Sequence, residues 1–247
     1  AAVFRVLLNF SISTQEKWSD AGVALRNWKK SLEELNIFIL QQSLPNAEVS
    51  AFCLVDQSPY LIMLNSSEYE NRKIFSLFHE VGHLLVHHSG VCTPDDLSSN
   101  SYEYVKIEKF CNQFAASFLV PSNEFLNDQT VNALKEVPFE NWNREDISAI
   151  SDRFHVSQEV IYRRFMSIGV LNESQYESKR KELLKMFKEK KNDKKKGPLM
   201  IPQHIKIISK NGRAYSSFIL ENLESNKVTL ADAADYLDTN SRHLQAV

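Results

Sequence analysis

The chain has 247 residues, of which 43% are hydrophobic and 24% charged, as expected for a globular protein with one large domain or a domain and an appendage. No apolar run reaches the ~18 residues of a membrane span, and the start lacks the order of a signal peptide. Three widely spaced cysteines without a CxxC pair favour a reducing compartment. We therefore expect a cytoplasmic protein without a membrane contact. Because the first residue is not Met, we also expect the interior of a longer chain or a processed start.

Helix, strand and hairpin patterns come first along the chain. Apolar residues recur at helical spacing from Gln15 to Leu35, and Thr14 is placed to cap that helix. The run from Asn36 to Gln42 predicts a buried strand. The segments "AFCLV" and "YLIML" flank "DQSP", which predicts a hairpin with a turn at Ser58-Pro59.

The next segment, "FSLFHEVGHLLVHHSG", predicts a buried helix that carries histidines and an acid. Ser67 and Glu70 have the spacing of a capping box before it, and Gly90 is placed to end it. Its apolar face consists of residues three and four apart, namely Ile74, Phe78, Val81 and Leu85. Ionisable groups in such a helix are costly unless they are paired or bind a metal.

His79, Glu80 and His83 form the pattern HExxH within this helix. Positions i and i+4 lie on one helix face about one turn apart, so the two imidazoles can bind one zinc ion. Glu80 lies about 100° around the helix from His79, beside the metal rather than on it. A carboxylate there can act as general base towards a water whose pKa the metal lowers, which is the chemistry of amide hydrolysis.

A catalytic zinc needs a third protein ligand, and the first helix does not supply it. His87 would lie about 12 Å from His79 along a straight helix, too far to reach the same ion. We expect His87 and His88 to be surface residues at the C-terminal end of the helix, where positive charge is favourable.

A second helix is predicted from Tyr102 to about Leu119, and it offers the remaining candidates. Glu108 borders its buried face, whereas Glu103 lies in its first turn, where an acid is a normal partner of the helix dipole. Cys111 follows Glu108 by about one turn and is expected to be a small core residue. The residues alone leave the choice of the third ligand open.

The rest of the chain is predicted to be helical. The stretch "ISAISDRFHVSQEVIYRRFMSIGVL" resembles a helix-turn-helix with its turn at "HVS". The run from Lys179 to Lys196 contains ten basic and three acidic residues. It is a candidate contact for DNA or an acidic partner, although a solvated helix or linker is the favoured interpretation. The last fifty or so residues contain two short helical patterns around a turn.

Two motifs together resemble the ImmA/IrrE family of bacterial and phage zinc metallopeptidases. They are "FSLFHEVGHLLVH" and, after about twenty residues, "EKFCNQFAASFLVP". The second family motif reads roughly E-x-x-A-N-x-F-A-x-x-L-L-x-P. It is matched here at Glu108, Asn112, Phe114, Ala115, Leu119 and Pro121, with Cys111 in place of the usual Ala. The resemblance covers about residues 20–170; longer relatives often carry an N-terminal Xre-type helix-turn-helix, which is not recognised in this sequence.

The resemblance implies an α+β, zincin-like fold with a small sheet, an HExxH helix and helical, helix-turn-helix-like segments after it. It makes Glu108 the third zinc ligand beside His79 and His83, with Glu80 as the catalytic base. It also implies a protein substrate, a helix-turn-helix transcriptional repressor that is removed under stress. The expected division is a metallopeptidase core at 1–125, a helix-turn-helix-like segment at 126–175, a basic helix or linker at 176–198 and a small C-terminal helical segment at 199–247.

Two other functions compete with a peptidase. In the first, the chain is a DNA-binding transcriptional regulator that uses the peptidase fold as a scaffold or sensor, with Arg163 and Arg164 in its second helix. The start of that helix, "SQEVIY", is acidic and apolar, which disfavours recognition of a DNA groove. In the second, the zinc is structural, but structural zinc prefers four ligands rich in Cys.

We further hypothesise that a substrate peptide docks on "YLIML" as an additional strand, which requires this strand to lie at a sheet edge.

Overall fold

The computed structural model describes residues 1–44, 49–87, 91–92, 102–193 and 202–246. In these ranges the chain forms thirteen α-helices, two short 3-10 helices and one four-stranded sheet. The predicted α+β class is therefore confirmed. Among the described residues, no helix is both long and apolar enough to cross a membrane.

The first part of the chain builds the sheet and the helices around it. In chain order its elements are α1 (Ala2–Leu7), α2 (Ile12–Glu16), α3 (Ala21–Glu33), β1 (Ile37–Gln42), β2 (Ala51–Leu54), β3 (Tyr60–Asn65), α4 (Glu70–Leu85), β4 (Val91–Cys92) and α5 (Tyr102–Leu119). The predicted strand, hairpin and second helix are thus confirmed.

Helices dominate after α5. They are α6 (Ser122–Asn127), α7 (Gln129–Lys135), α8 (Arg144–Phe154), α9 (Gln158–Ser167), α10 (Glu173–Asp193), α11 (Gln203–Asn211), α12 (Arg213–Glu224) and α13 (Leu230–Tyr236). The 3-10 helices are Phe139–Asn141 and Ser241–Ala246. The predicted turn at "HVS" is confirmed between α8 and α9, with His155 in the left-handed conformation at φ 54°.

The strand order in the sheet is β1-β3-β2-β4. β3 pairs in parallel with β1, from Ile37 beside Tyr60 to Gln42 beside Asn65, and antiparallel with β2. "YLIML" is therefore an internal strand with neighbours on both sides. The hypothesis that it is an edge for peptide docking is wrong, because β1 occupies the position that a docked peptide would need.

Three predicted helix ends are also wrong. Asp20, not Thr14, caps α3, because the chain first forms the separate short helix α2. α4 begins after Tyr69, since Ser67 instead bonds to the side chain of Asn65 through its backbone N–H and its hydroxyl. α4 ends at Leu85, with His87 in the left-handed conformation at φ 50°, while Gly90 lies outside the described residues.

A single hydrophobic cluster joins the sheet, α4 and α5 to the helices after them. Trp28 of α3 packs against Phe78 of α4 and Phe118 of α5. The same cluster includes Phe154 of α8 and Phe165 of α9, so the helix-turn-helix-like pair belongs to the core that holds α4. The predicted domain limits stay a prediction.

The last helices have a smaller cluster of their own and cover the outer edge of β1. The cluster contains buried side chains from α11, α12 and α13, such as Ile207, Ile219 and Leu237. Gln41 of β1 donates from Nε2 to the carbonyl oxygen of Ser209 at 2.9 Å.

Candidate metal centre

α4 brings His79 and His83 to one position in the core. Both side chains are completely buried, and their Nε2 atoms lie 3.2 Å apart. The one-turn spacing predicted from HExxH holds because α4 is regular throughout this stretch. The ring of Phe75, one turn before His79, lies beside the imidazole of His79, with ring centroids 6.4 Å apart.

α5 supplies the carboxylate that meets the two imidazoles. Glu108 is 2% exposed, and its Oε2 lies 3.1 Å from Nε2 of His79. Its Oε1 lies 3.1 Å from Nε2 of His83. The structure therefore brings together the three side chains that the sequence and the family resemblance named as ligands.

The close approach of α4 and α5 depends on Gly82, which sequence reasoning did not single out. A Cβ at Gly82 would lie 2.9 Å from the Cα atom of Cys111 and 3.1 Å from its Sγ. Any larger residue at position 82 would push α5 away, together with Glu108 one turn before Cys111. A glycine inside an apolar helix was the available signal, since it costs helix stability unless another backbone comes close.

The spacing of the three ligand atoms fits a metal ion. Ligands held about 2.0–2.1 Å from a tetrahedral zinc are about 3.3 Å from one another. The observed separations are 3.1 to 3.2 Å. Lone pairs of two imidazoles and a carboxylate converge at one buried point, where a cation between them satisfies all three. The donor set therefore fits a divalent metal.

The electrostatics of Glu108 agree with this arrangement. Burial by itself raises the pKa of this carboxyl group, but the hydrogen bonds and charges of His79 and His83 outweigh burial and lower the pKa to about 2. Glu108 is thus ionised at neutral pH, as a metal ligand must be.

Glu80 is fully buried and neighbours the ligands along α4. It is outside the group of side chains whose atoms converge on the metal position. The rotation of about 100° per residue places its carboxylate beside the two imidazoles rather than between them. The role of Glu80 as a proton acceptor stays a prediction.

The other predicted candidates lie away from the metal position. His87 is exposed at the end of α4, as expected, and His88 lies outside the described residues. Glu103 is exposed in the first turn of α5. Cys111 is buried against Gly82 in the contact between α4 and α5, as expected for a small core residue.

The two arginines considered for DNA binding are engaged within the protein. Arg164 is 3% exposed and donates to the hydroxyl groups of Ser122 at 2.8 Å and Ser167 at 2.9 Å. The guanidinium of Arg163 lies over the rings of Phe75 and Tyr176. Neither is available to a phosphate backbone without disruption of these contacts.

The basic run Lys179–Lys196 falls partly on α10 and partly outside the described residues. Within its described part, Lys179 pairs with Glu182 at 2.8 Å and Arg180 with Glu159 at 3.4 Å.

Residues 32–166 match the family model Peptidase_M78, described as the IrrE N-terminal-like domain. The matched region runs from the end of α3 to the end of α9 and contains His79, Glu80, His83 and Glu108. No curated protein matches the chain.

Proposed function

Because this chain belongs to the family of IrrE N-terminal-like domains and is a metallopeptidase of the ImmA/IrrE type, we propose that it is a zinc-dependent endopeptidase. The predicted zincin-like fold agrees with the family. The observation that carries the proposal is the convergence of His79, His83 and Glu108 at 3.1–3.2 Å beside the buried Glu80.

Two imidazoles and one carboxylate are the ligand set of a catalytic rather than a structural zinc. They leave a fourth position for water or substrate, whereas structural sites are closed by four ligands. A bound zinc ion supplies Lewis acidity that polarises a peptide carbonyl and makes water more acidic. Glu108 would contribute negative charge, and the Nε2 atoms of His79 and His83 would supply the other two lone pairs.

Glu80 performs the proton transfers in this proposal. Its carboxylate takes a proton from the attacking water and then delivers it to the nitrogen of the departing amine. Burial of Glu80 removes competing solvent and strengthens its electrostatic interactions with the reacting groups. The other buried side chains of α4, such as Phe78 and Val81, hold the helix and therefore the base in position.

The substrate we propose is a helix-turn-helix transcriptional repressor, whose cleavage would switch on its genes under stress. The family resemblance supports this class. A physical argument adds to it: the ligands and Glu80 are buried, so a rigid folded surface cannot reach them. An extended segment, such as the linker of a repressor, is thinner than a folded surface, and we therefore propose that the cleaved bond lies in such a segment.

A DNA-binding regulator is the weaker alternative. Its best candidates, Arg163 and Arg164, make internal contacts, and Arg164 is almost fully buried. Retention on DNA at physiological salt with no metal-dependent cleavage would favour this alternative.

The test combines metal content with cleavage. We expect about one zinc per chain in the parent and strong loss of zinc in Glu108→Ala, because two neutral imidazoles alone bind weakly. Glu80→Gln should keep its zinc but lose about 10²–10⁴-fold in cleavage of a repressor from the same organism, measured by mass spectrometry of the products. Equal zinc content in the parent and in Glu108→Ala, or full activity of Glu80→Gln, would contradict the proposal.

A further inference from the structure

A cavity of about 620 Å³ lies where the end of β1, the first turn of α4 and helix α11 meet. This volume is in the range of small-molecule sites, roughly 300–1,000 Å³. Its described lining consists of serines, glutamines, one isoleucine and the three lysines Lys73, Lys206 and Lys210, without an acidic side chain. The cavity therefore combines positive charge with apolar surface.

Of these three lysines, Lys73 is the strongest indication of an anion site, because its side chain is buried. It is 7% exposed, on the same helix as the metal-binding histidines. The nearby carboxylate of Glu70 is itself 51% exposed and lies 3.7 Å from Nζ, beyond hydrogen-bond distance. Burial of a cation costs free energy, and the ion pair with Glu70 offsets that cost only in part at this distance, so an additional anion beside Lys73 would be stabilising.

A second buried lysine contacts Ser209, which is one of the residues that line the cavity. Lys29 of α3 is 7% exposed and donates from Nζ to the carbonyl oxygen of Ser209 at 3.3 Å. Burial lowers the pKa of Lys29 to about 8; Glu33 opposes this, and the charge of Lys73 lowers it further. The two ammonium groups are thus close enough to repel each other, and an anion in the cavity would relieve that repulsion.

We propose that this cavity binds a small phosphate-bearing molecule. Lysines recognise phosphate as point charges, and the hydroxyl and amide groups of the lining supply further hydrogen-bond donors. The volume exceeds what a single phosphate fills, which leaves room for an organic or second phosphate group. Lys210 is already paired with Asp238, so Lys73 and Lys206 are the principal contacts.

The position of the cavity connects it to the metal centre. Lys73 and Glu80 are seven residues apart on α4, which is two helical turns along one stripe. Lys206 and Ser209 belong to α11, in the C-terminal group of helices. A bound anion therefore contacts both the helix that carries the proposed base and the helices that cover β1.

The test is calorimetric titration of the full chain with inorganic phosphate, pyrophosphate and adenosine triphosphate. The variants are Lys73→Gln and Lys206→Gln, with Lys30→Gln as matched control, because Lys30 is the exposed neighbour of Lys29 on α3. Loss of one charged contact should weaken binding by about tenfold or more in the first two variants. The control should bind like the parent.

The outcomes separate this site from the metal centre and identify the kind of ligand. Glu108→Gln should bind the same probe as the parent does, since it removes only a metal ligand. Binding of inorganic phosphate alone, or tighter binding of the triphosphate, would support the site and identify the source of the phosphate. No binding of any probe, or equal affinities in Lys73→Gln, Lys206→Gln and Lys30→Gln, would overturn the proposal. Lys206 is exposed, so its variant remains informative if Lys73→Gln does not fold.

Discussion

Gly82 controls how closely the third ligand approaches the two histidines. It stands between His79 and His83 in sequence, and the backbone of Cys111 lies against it. The interhelical contact that it permits brings Glu108 within 3.1 Å of both imidazoles. At the scale of single residues, the approach of Glu108 to the two histidines therefore depends on the lack of a side chain at Gly82 as well as on the three ligands themselves.

Gly82→Ala should weaken metal binding. Alanine favours the helix by about 1 kcal/mol, but overpacking against a backbone atom costs about 1–3 kcal/mol, and that atom cannot rotate away. We expect metal affinity to fall by about 10–100-fold, as for other changes that misplace a ligand. Competition with a chromogenic chelator measures this affinity.

Gly22→Ala in α3 is the matched control, because a Cβ there meets the capping carboxylate of Asp20 and does not touch the contact between α4 and α5. Its metal affinity should equal that of the parent. Unchanged affinity in Gly82→Ala would show that the contact between α4 and α5 can widen without moving Glu108.

Lys29 should make the stability of the protein depend on pH in the alkaline range. Its pKa is about 8 in the folded protein against the usual 10.5. Between these values the unfolded chain holds a proton that the folded chain has lost, so the free energy of unfolding rises with pH. The full gain is about 3.5 kcal/mol at about 1.4 kcal/mol per pKa unit, and most of it develops between pH 8 and pH 10.5.

Urea unfolding at pH 7.5 and 10.5 measures this effect, with Lys29→Met as the comparison. The parent should gain about 3 kcal/mol more than the variant between the two pH values. The difference between the two proteins cancels the titration of other lysines and tyrosines. Identical pH profiles would mean that Lys29 keeps an ordinary pKa in the fold.

At the scale of elements, local sequence patterns correctly predicted those features of the helices that depend on local interactions. α5 has the predicted limits because its apolar residues and Pro121 define them, and the spacing of His79 and His83 follows from helix geometry alone. The predicted capping box does not form, because the backbone N–H and the hydroxyl of Ser67 bond instead to the side chain of Asn65 at the end of β3. That interaction is a contact between side chains that spacing rules do not contain.

The pairing of elements that are far apart in the chain could not be predicted from the sequence. Nothing in "YLIML" indicates whether β1 pairs with it, since both strands are apolar and buried, and the partner of a strand is set by tertiary packing. Glu108 was likewise one of two candidates by spacing, and only the family motif distinguished it from Glu103. The covering of β1 by α11 has no local signal, because residues 41 and 209 are joined only in the folded chain.

The turn between α11 and α12 should be sensitive to any side chain at Gly212. Its φ of 74° and ψ of 163° lie in a region that is almost restricted to glycine. A Cβ there would lie 2.7 Å from the carbonyl oxygen of Ile39 and still closer to the carboxylate of Glu33. Strain and overpacking together should lower the free energy of unfolding by about 2–4 kcal/mol in Gly212→Ala, measured in urea.

Gly169→Ala is the comparison for a positive φ without a packing clash. Gly169 also has a positive φ, 76°, but a Cβ there meets nothing within 4 Å. Its loss of stability should be about 1 kcal/mol. If the two variants were equally stable, the packing of the turn on β1 would contribute nothing.

At the scale of the whole molecule, the part of the chain that the structure describes contains one large hydrophobic cluster and one small one. The large cluster holds the sheet, the metal-binding helices and the helices up to Leu183, while the small one holds the last three α-helices. They meet along β1, where Phe38 packs against Tyr215 and Phe218. The three candidate ligands are carried by helices of the large cluster, so we expect the site to form without the small one.

Ending the chain at residue 193 should therefore keep the metal centre but change association. Without α11 to α13, the outer edge of β1 and the ring of Phe38 lose their cover. An uncovered apolar edge strand pairs with other chains, so the shortened protein should form larger species than the full chain at the same concentration. Light scattering after size exclusion measures this, and its zinc content should equal that of the full chain.

A charge on the exposed edge should reverse the association. Phe38→Lys in the shortened chain places an ammonium group on β1, which natural edge strands use to prevent pairing. This variant should return to the size of the full chain with its zinc retained. If the shortened chain lost its zinc, the C-terminal helices would hold the metal centre together. If Phe38→Lys left the association unchanged, surfaces other than β1 would drive it.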